Sequence, residues 1–221
     1  HVIAVYGDSG CGKTSLAAQF PGYVIAQFEP MRKGLALRKV DMSYVSQQGY
    51  TKTKRRPFVQ FCNFIEQCIE DDSVEGIGID TFNLLFQSCQ DYICESKGVK
   101  SPNELKDFGQ TWSEIQDTVR NVLNIFLDSG KGLVFIDHST QTEVEIGDNV
   151  FFRTQPNLRD SKTGSLPIIK EMTDLVIYYG LKSNGSRYMQ ISPTQEIYCK
   201  SAIDGHFETP DKGQLLKFDV G

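Results

Sequence analysis

Apolar residues fall along this chain as short runs that alternate with helical stripes. Val2 to Tyr6 is an almost unbroken apolar run, the pattern of a strand buried on both faces. The segment after Gly12 reads as a helix as far as Phe20, where Pro21-Gly22 stops it, and Tyr23 to Phe28 predicts a second strand. From Pro57 onward, Phe58, Phe61, Cys62, Ile65, Cys68 and Ile69 recur at helical spacing. Gly76 to Asp80 then reads as a strand and Thr81 to about Lys97 as a helix. Residues 98–110 are polar and predict a loop. Trp112, Ile115, Val119, Val122 and Phe126 form one stripe of a further helix, for which core packing is the plain explanation. Gly130-Lys-Gly132 ends it, and Leu133 to Asp137 is another strand. Such alternation predicts an α/β fold, a mostly parallel sheet flanked by helices.

The pattern changes after His138. Residues 139–165 hold turn formers and both charges without sustained periodicity, so a long functional loop is expected there. Leu166 to Met172 predicts a short helix. Three strand-like segments follow, Asp174–Gly180, Arg187–Ser192 and Glu196–Ser201, with polar links such as Lys182-Ser-Asn-Gly185. Antiparallel hairpins added to the parallel sheet are expected here. The 221 residues suit one domain rather than two.

Composition narrows the class. At 39% hydrophobic and 23% charged residues the chain reads as an ordinary globular protein. No apolar run reaches the roughly 18 to 20 residues that span a bilayer, so no membrane partner is expected. The chain opens directly in strand-like sequence, without the basic start and cleavage site of a signal peptide, which leaves room for residues before position 1. A cytoplasmic location is expected, the host's cytoplasm if the protein is phage-encoded. Cys11, Cys62, Cys68, Cys89, Cys94 and Cys199 include no C-x-x-C pair, and His1, His138 and His206 lie far from them in sequence. Free buried thiols are expected, not a metal site. The net charge of −5 carries no global nucleic-acid signature. It is unevenly spread: Arg32, Lys33, Arg38, Lys39, Lys52, Lys54, Arg55 and Arg56 face one acid, Asp41, a local charge of +7. That patch is suited to phosphate backbones or an acidic neighbour, although a solvated basic loop has the same composition.

The chemistry is concentrated at residues 7–14, Gly-Asp-Ser-Gly-Cys-Gly-Lys-Thr. The spacing G-x-x-x-x-G-K-[ST] is met by Gly7, Gly12, Lys13 and Thr14, after a strand and before a helix, which is the context a P-loop requires. Gly7, Asp8, Ser9, Gly10, Cys11, Gly12, Lys13, Thr14 and Ser15 are thus the candidate nucleotide-binding residues. The glycines let successive N–H groups face phosphate oxygens, Lys13 reaches the β- and γ-phosphates, and the Thr14 hydroxyl serves magnesium. ATP and Mg2+ are the expected ligands. Asp80, at the end of its strand, is the favoured partner for the metal, with Asp137 competing from the next strand. Thr81 follows Asp80, so the adjacent Asp-Glu pair of many ATPases is missing and the water-orienting carboxylate must come from elsewhere. Glu29 is placed for that role at the end of a strand expected beside the P-loop strand; a capping or salt-bridging acid is the alternative. His138, before the long loop, suits a γ-phosphate sensor or an ordinary hydrogen-bonded histidine.

With these residues in view, the chain resembles the RecA-like P-loop ATPases, and more narrowly a phage-encoded branch that includes RecA-like single-strand annealing proteins. The resemblance rests on Gly7 to Thr14, the strand ending in Glu29, Gly76 to Asp80 with Thr81, Phe-Ile-Asp-His138 with the loop beyond, and the Asp174 to Tyr179 tail with Tyr-Cys-Lys200. It implies a RecA core that binds single-stranded DNA and assembles as a ring or filament with nucleotide between subunits, with a single-stranded-DNA-binding protein as a further partner. By the same resemblance, Glu29 is the catalytic carboxylate and His138 replaces the glutamine of RecA. Residues 139–165 become a DNA-binding loop with Arg153, Arg159 and Lys162 as phosphate contacts, joined by Lys52, Lys54, Arg55 and Arg56 of the basic patch. Lys200 matches the lysine of a Lys-x-Arg motif that reaches a neighbour's γ-phosphate, with Ala202 where the arginine would stand. The resemblance thus implies a DNA-dependent ATPase of recombination or annealing. Two other readings use the same P-loop: a nucleotide or small-molecule kinase with an arginine lid, and a nucleotide-gated DNA-clamping module with negligible turnover.

Overall fold

The computed structural model describes residues 1–30, 38–43, 56–147 and 149–202. Strand β1 (Val2–Gly7) leads through the P-loop into α1 (Lys13–Ala17), followed by β2 (Tyr23–Gln27) and β3 (Lys39–Asp41). Helix α2 (Pro57–Glu70) precedes β4 (Gly76–Asp80) and α3 (Phe82–Ser96). A 3₁₀ turn (Pro102–Leu105) and α4 (Gln110–Asp128) lead to β5 (Gly132–Ile146) and β6 (Asn149–Pro156). The described chain ends with α5 (Leu166–Met172), β7 (Leu175–Leu181), β8 (Arg187–Gln190) and β9 (Lys200–Ser201).

The sheet runs in the order β3-β2-β4-β5-β1-β7-β8, parallel from β3 through β7, with β8 antiparallel to β7. β9 also pairs antiparallel with β7. This is the expected α/β core, a mostly parallel sheet with antiparallel C-terminal strands. Alternation along the strands sends side chains to two cores. Tyr6, Ala26, Ile79 and Phe135 join the larger core with α2, α3, α4 and α5. Val5, Ile25, Val134 and Ile177 face the other way, onto Leu16 and Ala17 of α1. Both faces are therefore covered, and the C-terminal ends of β1, β2 and β4 open onto one edge.

Several sequence expectations are corrected. Residues 139–165 are not one long loop: β5 continues past His138 to Ile146 and pairs antiparallel with β6 from Ser139↔Pro156 to Ile146↔Asn149. Ser139, Gln141, Glu143 and Glu145 alternate with Thr140, Thr142 and Val144, so neither face is apolar and the usual hydrophobic signal is missing. β-Branched residues and backbone pairing form the ladder instead. The first helix stops at Ala17 rather than Phe20. The last strand is confined to Lys200–Ser201. Strand β3 was hidden inside the basic stretch, a three-residue edge segment too short for any periodicity. All six cysteines are free thiols, and all but Cys62 are buried. Among the described residues no helix is long and apolar enough to cross a membrane.

Candidate nucleotide site

The P-loop is shaped by its glycines. Gly10 and Gly12 adopt φ of 84° and 100°, a region that L side chains resist. A Cβ at Gly7 would collide with the Tyr179 carbonyl on β7, so the loop can lie against the sheet only with glycine there. Lys13 is buried, and its Nζ donates to the carbonyls of Gly7 and Asp8, each at 2.9 Å. Its ammonium is thereby held over the mouth of the loop. The N–H groups that begin α1 supply the positive end suited to phosphate.

Beside the loop, Thr14 Oγ1 donates to Asp80 Oδ2 at 2.6 Å. Burial raises the Asp80 pKa, a shift that the Thr14 hydrogen bond and the Lys13 charge oppose. A hydroxyl and a carboxylate on one wall are hard oxygen donors and fit magnesium, which takes a few protein oxygens and keeps water and phosphate as its other ligands. Asp137, the competitor, is turned away. Its carboxylate accepts from the backbone N–H of His138 and of Asn83, both at 2.9 Å, and burial pushes its pKa up to about 7.

Across the cleft, His138 Nε2 and Glu29 Oε1 lie 2.6 Å apart. Glu29 follows β2, and its N–H donates to the Asp80 carbonyl at 3.3 Å. The hydrogen bond to Glu29 raises the His138 pKa, outweighing partial burial. One residue on, Ser139 Oγ donates to Asp8 Oδ1 of the P-loop. Ser9, Gly10, Gly12, Lys13, Thr14, Ser15, Glu29, Asp80 and His138 therefore line a single cleft, to which Gln27 and Lys39 also contribute.

The other candidates lie elsewhere. Lys200 Nζ donates to the carbonyls of Lys170 and Thr173, at 2.8 and 2.6 Å, at the C-terminal end of α5 in its own subunit. Arg153 donates to the Gln195 carbonyl at 3.0 Å and lies over the Phe151 ring. Arg159 stacks on Trp112, 3.8 Å from the ring centroid, and Lys162 is exposed. Arg56 pairs with Glu95 at 3.0 Å. Lys52, Lys54 and Arg55 lie outside the described residues.

Three residues of the site escaped the sequence reading. Arg187, on β8, donates from Nε to the Cys11 carbonyl at 2.8 Å and lies beside Gly12. Nothing local in sequence marks it. Lys39 comes from the short β3. Gln27 had a signal that went unused, a lone amide in the apolar run Tyr-Val-Ile-Ala-Gln-Phe.

A family profile described as an AAA domain matches residues 1–203. No curated protein matches. Among solved structures, the chain is similar to a KaiC-like protein from the hyperthermophilic archaeon Pyrococcus horikoshii OT3, at 14% identity. The alignment covers 88% of this chain and 79% of that one, with a TM-score of 0.48. With a P-loop, a Thr14–Asp80 pair and a profile match over nearly its whole length, the chain belongs to the AAA domain family of P-loop ATPases.

Proposed function

We propose that this ATPase couples ATP hydrolysis to single-stranded DNA, in strand annealing or recombination of the phage type. One observation carries the reading: β5 runs without a break from His138, bonded to Glu29 in the cleft, into the β5–β6 hairpin. That hairpin exposes Val150 and Phe152, at 57% and 64%, beside Arg153. An exposed ring, Phe152, on a ribbon whose other face carries Arg153 over Phe151 suits sequence-tolerant binding of unpaired bases. Ser139 ties the base of the same hairpin to Asp8, so the P-loop and the hairpin are mechanically connected.

In the hydrolytic step, water oxygen attacks the γ-phosphorus and the bond to the β,γ-bridging oxygen breaks, its electron pair leaving with ADP. Glu29 takes the water proton once it lets go of His138. Lys13 and the P-loop N–H groups hold the phosphates. Thr14 and Asp80 would hold magnesium, which supplies charge neutralisation on the phosphates. His138, released from Glu29, transmits γ-phosphate loss along β5.

A ring or filament in which a neighbouring subunit completes the nucleotide site is the assembly that goes with this reading. The kinase reading is less favoured, because Arg153, Arg159 and Lys162 do not line the cleft as a lid would. ATP turnover with single-stranded DNA, duplex DNA and no DNA tests the proposal. Stimulation by single strands, with assembly seen by sizing in ATP analogue, is the expected result. Turnover that ignores DNA removes the coupling.

A further inference from the structure

Gln27 differs from the other buried polar side chains of the cleft. It ends β2, with Asp41 on β3 and Asp80 on β4 as its register partners. Its side chain lines the cleft with Glu29 and Lys13, yet the residue is only 7% exposed. Lys13 is engaged by two carbonyls and Asp80 by Thr14. The Gln27 Oε1, by contrast, is buried with no hydrogen-bond partner among the described residues. A carboxamide carries two donors and two acceptor positions, and half a turn of its terminal torsion exchanges which atom meets the cleft. A buried carbonyl oxygen without a partner weakens the fold. An apolar side chain would fill this place in an otherwise apolar strand without that penalty.

We propose that Gln27 is a catalytic residue of ATP hydrolysis, its carboxamide oxygen accepting a hydrogen bond from the attacking water. Glu29 accepts the water's other proton, a role on which the proposal rests. Two acceptors at neighbouring positions of one strand end fix both protons of the water and so aim its lone pair at the γ-phosphorus. Positioning of this kind is the main contribution a protein can make to phosphoryl transfer. In the reaction the oxygen–phosphorus bond forms, the β,γ bond breaks, one proton passes to Glu29, and the hydrogen bond to Gln27 is kept throughout. The role is independent of any DNA partner.

The test compares Gln27→Met, Gln27→Ala and Glu29→Gln in the full chain. Both Gln27 variants are expected to lose roughly tenfold to a hundredfold in kcat, with KM and ADP affinity within about twofold of wild type. Binding of ADP with aluminium fluoride, which mimics the γ-phosphoryl group in transit, should weaken by the same factor as kcat. Gln27→Met should also raise the melting temperature of the nucleotide-free protein, because it removes the unpartnered carbonyl. Turnover and aluminium fluoride binding unchanged in both variants, with Glu29→Gln inactive, overturn the role of Gln27 alone. Full turnover in Glu29→Gln overturns the base on which the proposal rests. Loss of ADP binding in both Gln27 variants assigns the residue to the fold and overturns the proposal as well.

Discussion

Glu29 and His138 meet at 2.6 Å across 109 residues of sequence. One follows the end of β2 and the other continues β5, with β4 between these strands in the sheet. The contact joins the carboxylate proposed to deprotonate water to the strand that leaves the cleft. Replacing Glu29 with Gln keeps the size and removes the base, so kcat should fall by about a hundredfold or more while ATP still binds. Single-turnover kinetics with a nucleotide-binding assay separates the two effects.

The same pair makes stability depend on pH. The hydrogen bond to Glu29 raises the folded-state pKa of His138 above its ordinary value. Its contribution is therefore complete below about pH 6.5, the unfolded value, and is lost as pH rises through the higher folded value. Urea unfolding at about pH 6 and about pH 8.5 should show wild type losing more stability than Glu29→Gln over that interval. Equal losses would mean that the pair does not form in solution.

Thr14 and Asp80 predict the metal dependence. Burial raises the Asp80 pKa, so a growing fraction is protonated as the pH falls, and magnesium affinity should fall with it. Asp80→Asn should weaken magnesium-dependent ATP binding by roughly tenfold or more and flatten that pH dependence. A magnesium titration at fixed ATP, repeated at several pH values, measures both. Asp137→Asn, which loses only contacts to backbone N–H groups, should leave the magnesium midpoint in place.

What could be read in advance follows from where the information sits. The P-loop was legible because backbone positions such as Gly10 and Gly12 demand glycine, and Lys13 and Thr14 lie next to them in the chain. Asp80 was legible as the polar end of a buried strand. The β5–β6 hairpin was not, because a ribbon solvated on both faces has no apolar period. Arg187 was also illegible, since it reaches Cys11 from 176 residues away through the β7–β8 pairing. Tertiary contacts made by exposed strands leave little trace in local pattern.

Arg187 gives the next prediction. Its hydrogen bond to the Cys11 carbonyl restrains the loop that must face the phosphates. A charged donor on a neutral acceptor, partly exposed, contributes about 1 kcal/mol, so Arg187→Ala should raise the Kd for ATP and ADP alike by roughly fivefold. The melting temperature should change little. Arg187→Lys should not restore binding fully, because a point charge lacks the guanidinium's fixed geometry. Isothermal titration with both nucleotides provides the measurement, and affinity unchanged in Arg187→Ala would show that the loop holds its shape unaided.

The hairpin carries the last prediction. Phe152 is exposed on β6, paired with the part of β5 that runs on past the nucleotide cleft, and Arg153 follows it in sequence. If unpaired bases stack there, Phe152→Ala should weaken single-stranded DNA binding by about 1–3 kcal/mol with little change in salt dependence. Arg153→Ala should instead reduce the slope of log affinity against log salt by about one unit. Neither substitution touches the cleft, so ATP turnover without DNA should match wild type, whereas stimulation by DNA should fall in both. Fluorescence anisotropy across a salt series, paired with phosphate release, separates stacking from charge. A hairpin that serves only to contact a neighbouring subunit would give another pattern: DNA affinity would follow assembly, and both variants would lose binding only at protein concentrations where the oligomer dissociates.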